Sequence, residues 1–411
     1  MRNMDVFRLA DQAAPIEPVP APERVRLPLL GAGVCVGVGD AVVRDQRVAV
    51  AARPGLGDVH ASVAGVVVAI DDAALTIENA GETGREPRGE LAGAAPAELC
   101  RSLASLGVRC DDLLEADLVV VNALEPEPGV SSFMALARHE NQVLQAGAAL
   151  LQRILEPSRI VLAAPKGAGL TLGHNPVHEL SVRYPENLDP LVVRAVTGKE
   201  RPAEVVSMGV DRLWRMGVAS RGRPVTETVL SVGGKNLRVA VGTPVRLVLE
   251  AAGLAPEPGD RVLLGGVFRG EALWDLDAPV PKEAYALTVV PRDLAAHYGE
   301  HPCINCGECH LVCPARILVG IMARFAEFGF WEKARAYDLD SCIECGLCAY
   351  VCPARRPLLQ YIRLARHELS LVEEFAPGPQ PPEGATLDPS ADPSGSPSGN
   401  PSGNPSEEAR A

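Results

Sequence analysis

Short apolar runs separated by glycines open the patterned part of the chain. From Val25 the segments LLGAGVCVGVGD, AVVRDQRVAVAA, VHASVAGVVVAID and ALTIEN are rich in β-branched residues. Short strands at such close spacing predict a small β-barrel or sandwich. Residues 1–24, rich in Pro and Ala, predict an extended segment before it. Residues 96–230 change texture. Leu99, Leu103 and Leu106 recur at helical spacing within 97–106. Residues 117–122 (DLVVVN) read as a buried strand ending in polar side chains, 132–155 as one long helix and 159–164 as a second strand of parallel type. Residues 228–270 turn β-rich again, with TVLSVGG, RVAVGTP and RVLLGG, whose paired glycines at strand ends mark turns. Residues 317–337 predict a helix, a break at Gly329 and a second helix, and 358–374 one more. Beyond Phe375 the near-repeat PSGSPSGNPSGNPS has nothing to bury and predicts disorder.

These textures divide the chain at 1–24, 25–90, 91–227, 228–292, 293–374 and 375–411. The expected fold class is multidomain: β modules flanking an α/β domain, then a helical domain. Its 411 residues suffice for several cores, and 47% apolar residues fit globular packing. A formal charge of −13 argues against nucleic acid, because phosphate binding needs clustered Lys and Arg. No run of eighteen apolar residues predicts a membrane span. The segment MRNMDVFRLADQAAPIEPVP has no apolar core behind a basic start, so no secretory signal is expected there, and a reducing compartment is.

Eight of the eleven cysteines fall between Cys303 and Cys352. They form two copies of C-x2-C-x2-C-x3-C-P: Cys303, Cys306, Cys309, Cys313-Pro314, and Cys342, Cys345, Cys348, Cys352-Pro353. Three thiolates at two-residue gaps wrap one face of an iron–sulfur cube, and the fourth Cys in this pattern usually ligates the other cluster. The expected pairing is Cys303, Cys306, Cys309 and Cys352 on one [4Fe–4S] cluster, with Cys342, Cys345, Cys348 and Cys313 on a second. Structural zinc would not need the third and fourth cysteines or the prolines. Disulfides do not suit dense spacing without a secretory signal. Such a chain moves single electrons. The 28 residues between Cys313 and Cys342 hold two short helices, so this domain should be mainly helical. Cys35, Cys100 and Cys110 are scattered and read as buried small hydrophobes. His301 and His310 flank the first run, but four thiolates already complete a cube, so they are not expected as ligands. Arg355, Arg356, Arg363 and Arg366 read either as a solvated face offsetting the thiolates or as a docking patch for an acidic partner.

The glycine-rich β module resembles the barrel-sandwich hybrid of biotinyl and lipoyl carriers. A carrier needs a Lys at the hairpin tip, and the first lysine of this chain is Lys166, so the module reads as structural. The acidic stretch Asn122-Ala-Leu-Glu125-Pro-Glu127-Pro128-Gly129 lies at a strand end, where ligands gather in parallel sheets. On residue chemistry alone a solvated acidic loop is the favoured reading.

In this order the modules resemble the RnfC family, a component of the Rnf-type ion-translocating electron-transport complex, over roughly residues 25–370. The specific match is in the cysteine runs, with Asp340-Ser341-Cys342-Ile343-Glu344-Cys345-Gly346 and Ala349-Tyr350-Val351-Cys352-Pro353. His60 to Gly65, Thr197-Gly198-Lys199-Glu200 and Gly242-Thr243-Pro244 match less specifically. The resemblance implies a barrel-sandwich hybrid, an α/β domain like the flavoprotein of respiratory complex I, a soluble-ligand-binding β-grasp (SLBB) domain and a helical double-[4Fe–4S] domain. It also implies that Asn122 and Glu127 help hold flavin (FMN) and NADH. The family's glycine-rich flavin loop should fall at 108–116, where this chain has VRCDDLLEA without a glycine. Residues 208–216, MGVDRLWRM, lack the family's Asn-Val-Gly-Thr. The resemblance therefore carries the clusters over and the flavin chemistry poorly.

The expected function is an electron-transfer subunit, peripheral on the cytoplasmic side of the inner membrane. It would relay electrons between a soluble or cytochrome carrier and the membrane subunits of an Rnf-type complex. Two alternatives are a flavin-containing NADH dehydrogenase subunit of that complex and a microcompartment cobalamin reductase. No acid–base or nucleophile constellation stands out.

Overall fold

The computed structural model describes residues 14–81, 91, 95–113, 115–181, 183–200, 202–295, 297–299 and 301–375. The tail expected to be disordered lies outside them. The first strand, β1 (Ile16–Pro18), leaves for a distant sheet. The β module follows: β2 (Arg24–Pro28), β3 (Gly33–Val34), β4 (Ala41–Val42), β5 (Arg47–Val50), β6 (Val59–His60), β7 (Gly65–Ile70) and β8 (Ala74–Asn79). Two antiparallel sheets, ordered β2-β8-β7-β4 and β3-β5-β6, close over Val25, Leu27, Val48, Val67, Leu75 and Ile77. The β7–β8 hairpin turns on Asp71, whose Oδ1 accepts the amides of Ala73 and Ala74. Gly65 passes the Glu78 carbonyl too closely for any side chain.

The α/β domain runs α1 (Pro96–Ser105), β9 (Leu118–Asn122), α2 (Ser132–His139), α3 (Asn141–Leu155), β10 (Arg159–Pro165), β11 (Val177–Leu180), α4 (Asp189–Thr197), β12 (Val205–Gly209) and α5 (Val210–Ser220). Its sheet, β11-β10-β9-β12, is parallel throughout. β9 is buried along its whole length, and reads as an unbroken apolar run because helices cover both faces. Val119 and Val121 pack toward α1, α3 and α5, while Leu118 and Val120 pack on Val192 and Val193 of α4. The single long helix expected over 132–155 is two helices, broken at Glu140. No Gly or Pro marks the break. There Glu140 turns its carboxylate to Arg238 and the Trp214 indole, so a tertiary contact decides what helical periodicity could not.

Next come β13 (Glu227–Val232), β14 (Lys235–Ala240), α6 (Val245–Ala252), β15 (Arg261–Leu264), β16 (Glu271–Leu273) and β17 (Ala286–Val290), in a mixed sheet ordered β1-β14-β13-β17-β15-β16. Gly233 and Gly234, with φ of +57° and +83°, form the two-residue loop of the β13–β14 hairpin, a turn that wants positive φ twice. β1 adds to the free edge of β14 in parallel, Ile16 opposite Asn236. Within the segment 1–24, Ile16–Pro18 is therefore part of a core sheet and not merely extended.

The cysteine domain is mainly helical, as expected: α7 (Glu308–Leu311), α8 (Val319–Glu327), α9 (Trp331–Arg335), α10 (Leu347–Val351) and α11 (Leu358–Phe375). Gly329, at φ +74°, separates α8 from α9. Met322, Ala323, Ala326, Ala334, Ile362, Ala365 and Leu369 form its core.

Candidate metal centre and the acidic motif

The two cysteine runs fold as copies of one loop. Asn305 and Glu344, Gly307 and Gly346, and Arg316 and Arg355 occupy matching positions, and all six have left-handed φ between 51° and 79°. Alternating handedness turns successive amides toward one point, an arrangement suited to anionic sulfur. The Glu344 amide already reaches Cys342 Sγ at 3.4 Å, and the Arg356 amide reaches Cys352 Sγ at 3.5 Å. α7 and α10, each started by the left-handed glycine, lie against one another.

The fold brings each run's fourth cysteine to the other run, Cys352 beside Cys303, Cys306 and Cys309, and Cys313 near Cys345 and Cys348. Cys303, Cys306, Cys309 and Cys352 line one cavity with Gly307, Gly320 and Pro353. Burial raises the Cys345 and Cys348 thiols, and the nearby Cys313 adds to the push. Burial likewise pushes Cys342 up to about 11. Iron bound there would supply the positive charge that holds such sulfurs as thiolates. Four soft sulfur donors around one cavity are the donor set that suits an iron–sulfur cube. The two sets differ in exposure: Cys306 is open to solvent, while Cys345 and Cys348 are each 8% exposed.

Three of the four arginines that follow are engaged within the chain rather than forming a solvated face. Arg363 Nε and Arg366 Nη1 hold the two carboxylate oxygens of Glu344 at 2.9 and 2.5 Å, and Arg366 also donates to the carbonyls of Leu339 and Cys342. Arg356 is buried against Glu327; Arg355 alone is exposed. These side chains brace the loop because the carbonyls of a tight turn must find donors. His310 Nδ1 donates to the Ile317 carbonyl, and His301 is exposed. Cys110 is buried and Cys100 half-buried, but Cys35 is exposed, against expectation, at the rim of the short strand β3.

The acidic motif is not a solvated loop. Asn122, Glu125 and Glu127 are 3%, 4% and 1% exposed, because the module carrying β13–β17 folds over this end of the parallel sheet. Asn122 Nδ2 donates to the Asn187 carbonyl and to Asp189 at 2.9 and 2.7 Å. Glu125 accepts the amides of Phe133 and Met134 in the first turn of α2, where free N–H groups favour a carboxylate. Glu127 accepts the amides of Gly266, Phe268 and Arg269 at 3.1, 2.7 and 2.9 Å and the Tyr285 hydroxyl at 2.6 Å.

Burial nonetheless pushes the Glu125 carboxyl from 4.5 up to about 8, the two amides only partly offsetting it. A pKa raised on folding means the folded state binds the proton more tightly. That contribution is complete below about 4.5 and is lost as pH rises through about 8. Denaturant titrations should show stability falling between about pH 5 and 8, and Glu125→Gln should flatten that fall. An unchanged slope in the variant would contradict the assignment.

Tyr184, Phe268 and Tyr285 carried no signal in the sequence, yet they join the acidic motif to the cysteine domain. Phe268 stacks on Tyr184, centroids 4.7 Å apart, and meets Tyr350 edge-on at 5.4 Å. The Tyr184 hydroxyl donates to the Cys345 carbonyl. At 108–116, Arg109 pairs with Asp111 and Arg212 with Asp112, so two of the three acids there are engaged. Of the less specific matches, Gly198 ends α4 in a left-handed turn, and Gly242, at φ +88°, presses on the Arg26 carbonyl. Both serve the backbone.

Residues 302–355 match the 4Fe-4S dicluster domain and residues 7–83 the RnfC barrel sandwich hybrid domain. The C component of the ion-translocating oxidoreductase complex of Pseudomonas aeruginosa is 30% identical over 87% of this chain and 54% of its own length. Its counterpart in Rhodobacter capsulatus is 28% identical over 86% of this chain and 80% of its own. The chain thus spans about half the length of the Pseudomonas protein. A crystal structure of an NAD+-reducing [NiFe]-hydrogenase in the H2-reduced state matches at a TM-score of 0.42 and 14% identity, over 67% of this chain and 62% of that chain, too distant a likeness to carry a functional reading. No helix of the described residues is long and apolar enough to cross a membrane. The two matched domains stand in the order expected from the resemblance, identity near 30% runs between them, and the chain is RnfC-like.

Proposed function

We propose that this chain is an electron-transfer subunit of an Rnf-type ion-translocating oxidoreductase complex, holding two [4Fe–4S] clusters with crossed ligands. The carrying observation is that the cavity of Cys303, Cys306 and Cys309 is completed by Cys352 from the other run. A bound cluster supplies a one-electron site. The residues then set direction in space. Exposed Cys306 opens one set to an external carrier, soluble or cytochrome. Buried Cys345 and Cys348 keep the other inside the chain, against the α/β domain. Subunits in the membrane are the proposed partners, with the chain peripheral on its cytoplasmic side. The domains are read as 25–90, 91–227, 228–292 (an SLBB-like β-grasp, in keeping with the hairpin, helix and mixed sheet) and 293–374.

Flavin and NADH at Asn122 and Glu127 are not part of this reading. In this chain both side chains are spent on internal partners: every Glu127 oxygen accepts from loop 266–269 or Tyr285, and the Asn122 amide is taken by 187 and 189. The stretch 108–116 offers no glycine for close backbone approach to a phosphate, and carries acids that repel one. Anaerobically purified protein should contain about eight iron atoms per chain, show little or no flavin on acid extraction, and fail to oxidise NADH with an artificial acceptor. About one flavin per chain would favour the dehydrogenase reading instead.

A further inference from the structure

We propose that Glu127 is a positioning residue for the buried cysteine set, Cys342, Cys345, Cys348 and Cys313, acting through the loop that carries Phe268. The inference rests on reading these cysteines as cluster ligands. Its first observation is that three of the four donors to Glu127 are amides of one short loop, at positions 266, 268 and 269. A carboxylate bound that way dictates the loop's path, and the fit is tight: a Cβ on Gly266 would fall within 2.5–2.7 Å of Glu127 atoms.

The path so dictated ends on the cysteine loop in three places. A Cβ on Gly346, where φ is +73°, would lie 2.4 Å from the Phe268 carbonyl oxygen, so no side chain would fit there. The Phe268 ring stacks on Tyr184, whose hydroxyl holds the Cys345 carbonyl. The Arg269 carbonyl accepts Arg363 Nη2 at 2.9 Å, and the same guanidinium holds Glu344. Residues 344, 345 and 346 are consecutive and lie between the ligands Cys342 and Cys348. The cavity of the other set is lined by Ile304, Gly320, Ala354 and Leu358, with no residue of loop 266–270. Hydrogen bonding and solvent access around ligand sulfur set a cluster's potential. A displaced loop should therefore alter one cluster and spare the other. Glu125 is an internal control: it is as deeply buried in the same motif, but its carboxylate holds α2 and not this loop.

The test is a reductive titration of the full chain, purified anaerobically and followed by electron paramagnetic resonance. The buried set's signal is identified as the one changed in Cys345→Ser. Glu127→Gln should keep wild-type iron but shift the midpoint potential and g-values of that signal alone. Phe268→Ala should shift the same signal. The double variant should shift it no further than the larger single change, because both act along one path. Glu125→Gln should move neither signal. The proposal is overturned if Glu127→Gln moves neither signal or both alike, or if Glu125→Gln reproduces its effect. Should Glu127→Gln fail to fold, Phe268→Ala decides: a shift confined to the buried set upholds the proposal, and no shift ends it. Wild-type protein without two distinguishable signals would instead refute the underlying cluster reading.

Discussion

Cys352→Ser is expected to remove the signal of the cluster held by Cys303, Cys306 and Cys309, and to leave intact the one nearer in sequence. A serine hydroxyl is a poor substitute for a soft thiolate at iron, so bound iron should fall by about half, from about eight atoms per chain to about four. The reason lies in the path of the chain after each run. Pro353 ends α10 and turns the backbone so that Cys352 leaves its own loop and enters the opposite cavity. The matching left-handed residues, Arg316 and Arg355, make the same turn after Cys313 and Cys352. Cys313→Ser should accordingly have the mirror effect, on the cluster of Cys342, Cys345 and Cys348. Comparing the two variants by resonance spectroscopy and iron content is decisive: if each instead lost the cluster of its own run, crossed ligation would be wrong.

Gly217→Ala should be among the most damaging small substitutions in the chain. α3 and α5 cross with Gly147 facing the Leu213 carbonyl and Gly217 facing the Val143 carbonyl. A Cβ at either glycine would sit closer to backbone oxygen than carbon–oxygen contact permits. Because the obstacle is helix backbone, relief requires the helices to separate. Overpacking of this kind costs about 3 kcal/mol, a large part of the total stability of a domain. The loss would spread to the sheet end that carries Asn122, since both helices cover the face of Val119 and Val121. Gly33→Ala, at a site with nothing within 4 Å and an ordinary φ, is the control and should change stability by less than about 0.5 kcal/mol. Equal unfolding midpoints for the two variants would show that the α3–α5 crossing gives way easily.

Part of this protein was legible from local order alone. The spacing of thiols and prolines predicts ligand sets because a metal-binding loop is a short-range object, and the left-handed turns at matching positions of the two runs follow from a dozen residues each. Buried parallel strands announce themselves by unbroken apolar runs, as at Leu118–Asn122, and a glycine at a helix end such as Gly329 announces a break. The Gly233–Gly234 hairpin is similarly self-contained. What the sequence could not determine are the features whose cause lies far away along the chain. The break at Glu140 depends on Arg238, and the strand Ile16–Pro18 on an open edge at Asn236. A carboxylate written in a Pro-rich acidic loop reads as solvated, because most are. Only the tertiary structure brings the amides of 266, 268 and 269 to Glu127, and only there does burial become cheaper than hydration. The same holds for Arg363 and Arg366, surface charges by composition, which become braces because Glu344 and the carbonyls of Leu339 and Cys342 turn toward them. Local order thus pointed to the atoms expected to bind metal, while long-range packing decided where polar groups are desolvated and to which neighbour each is tied.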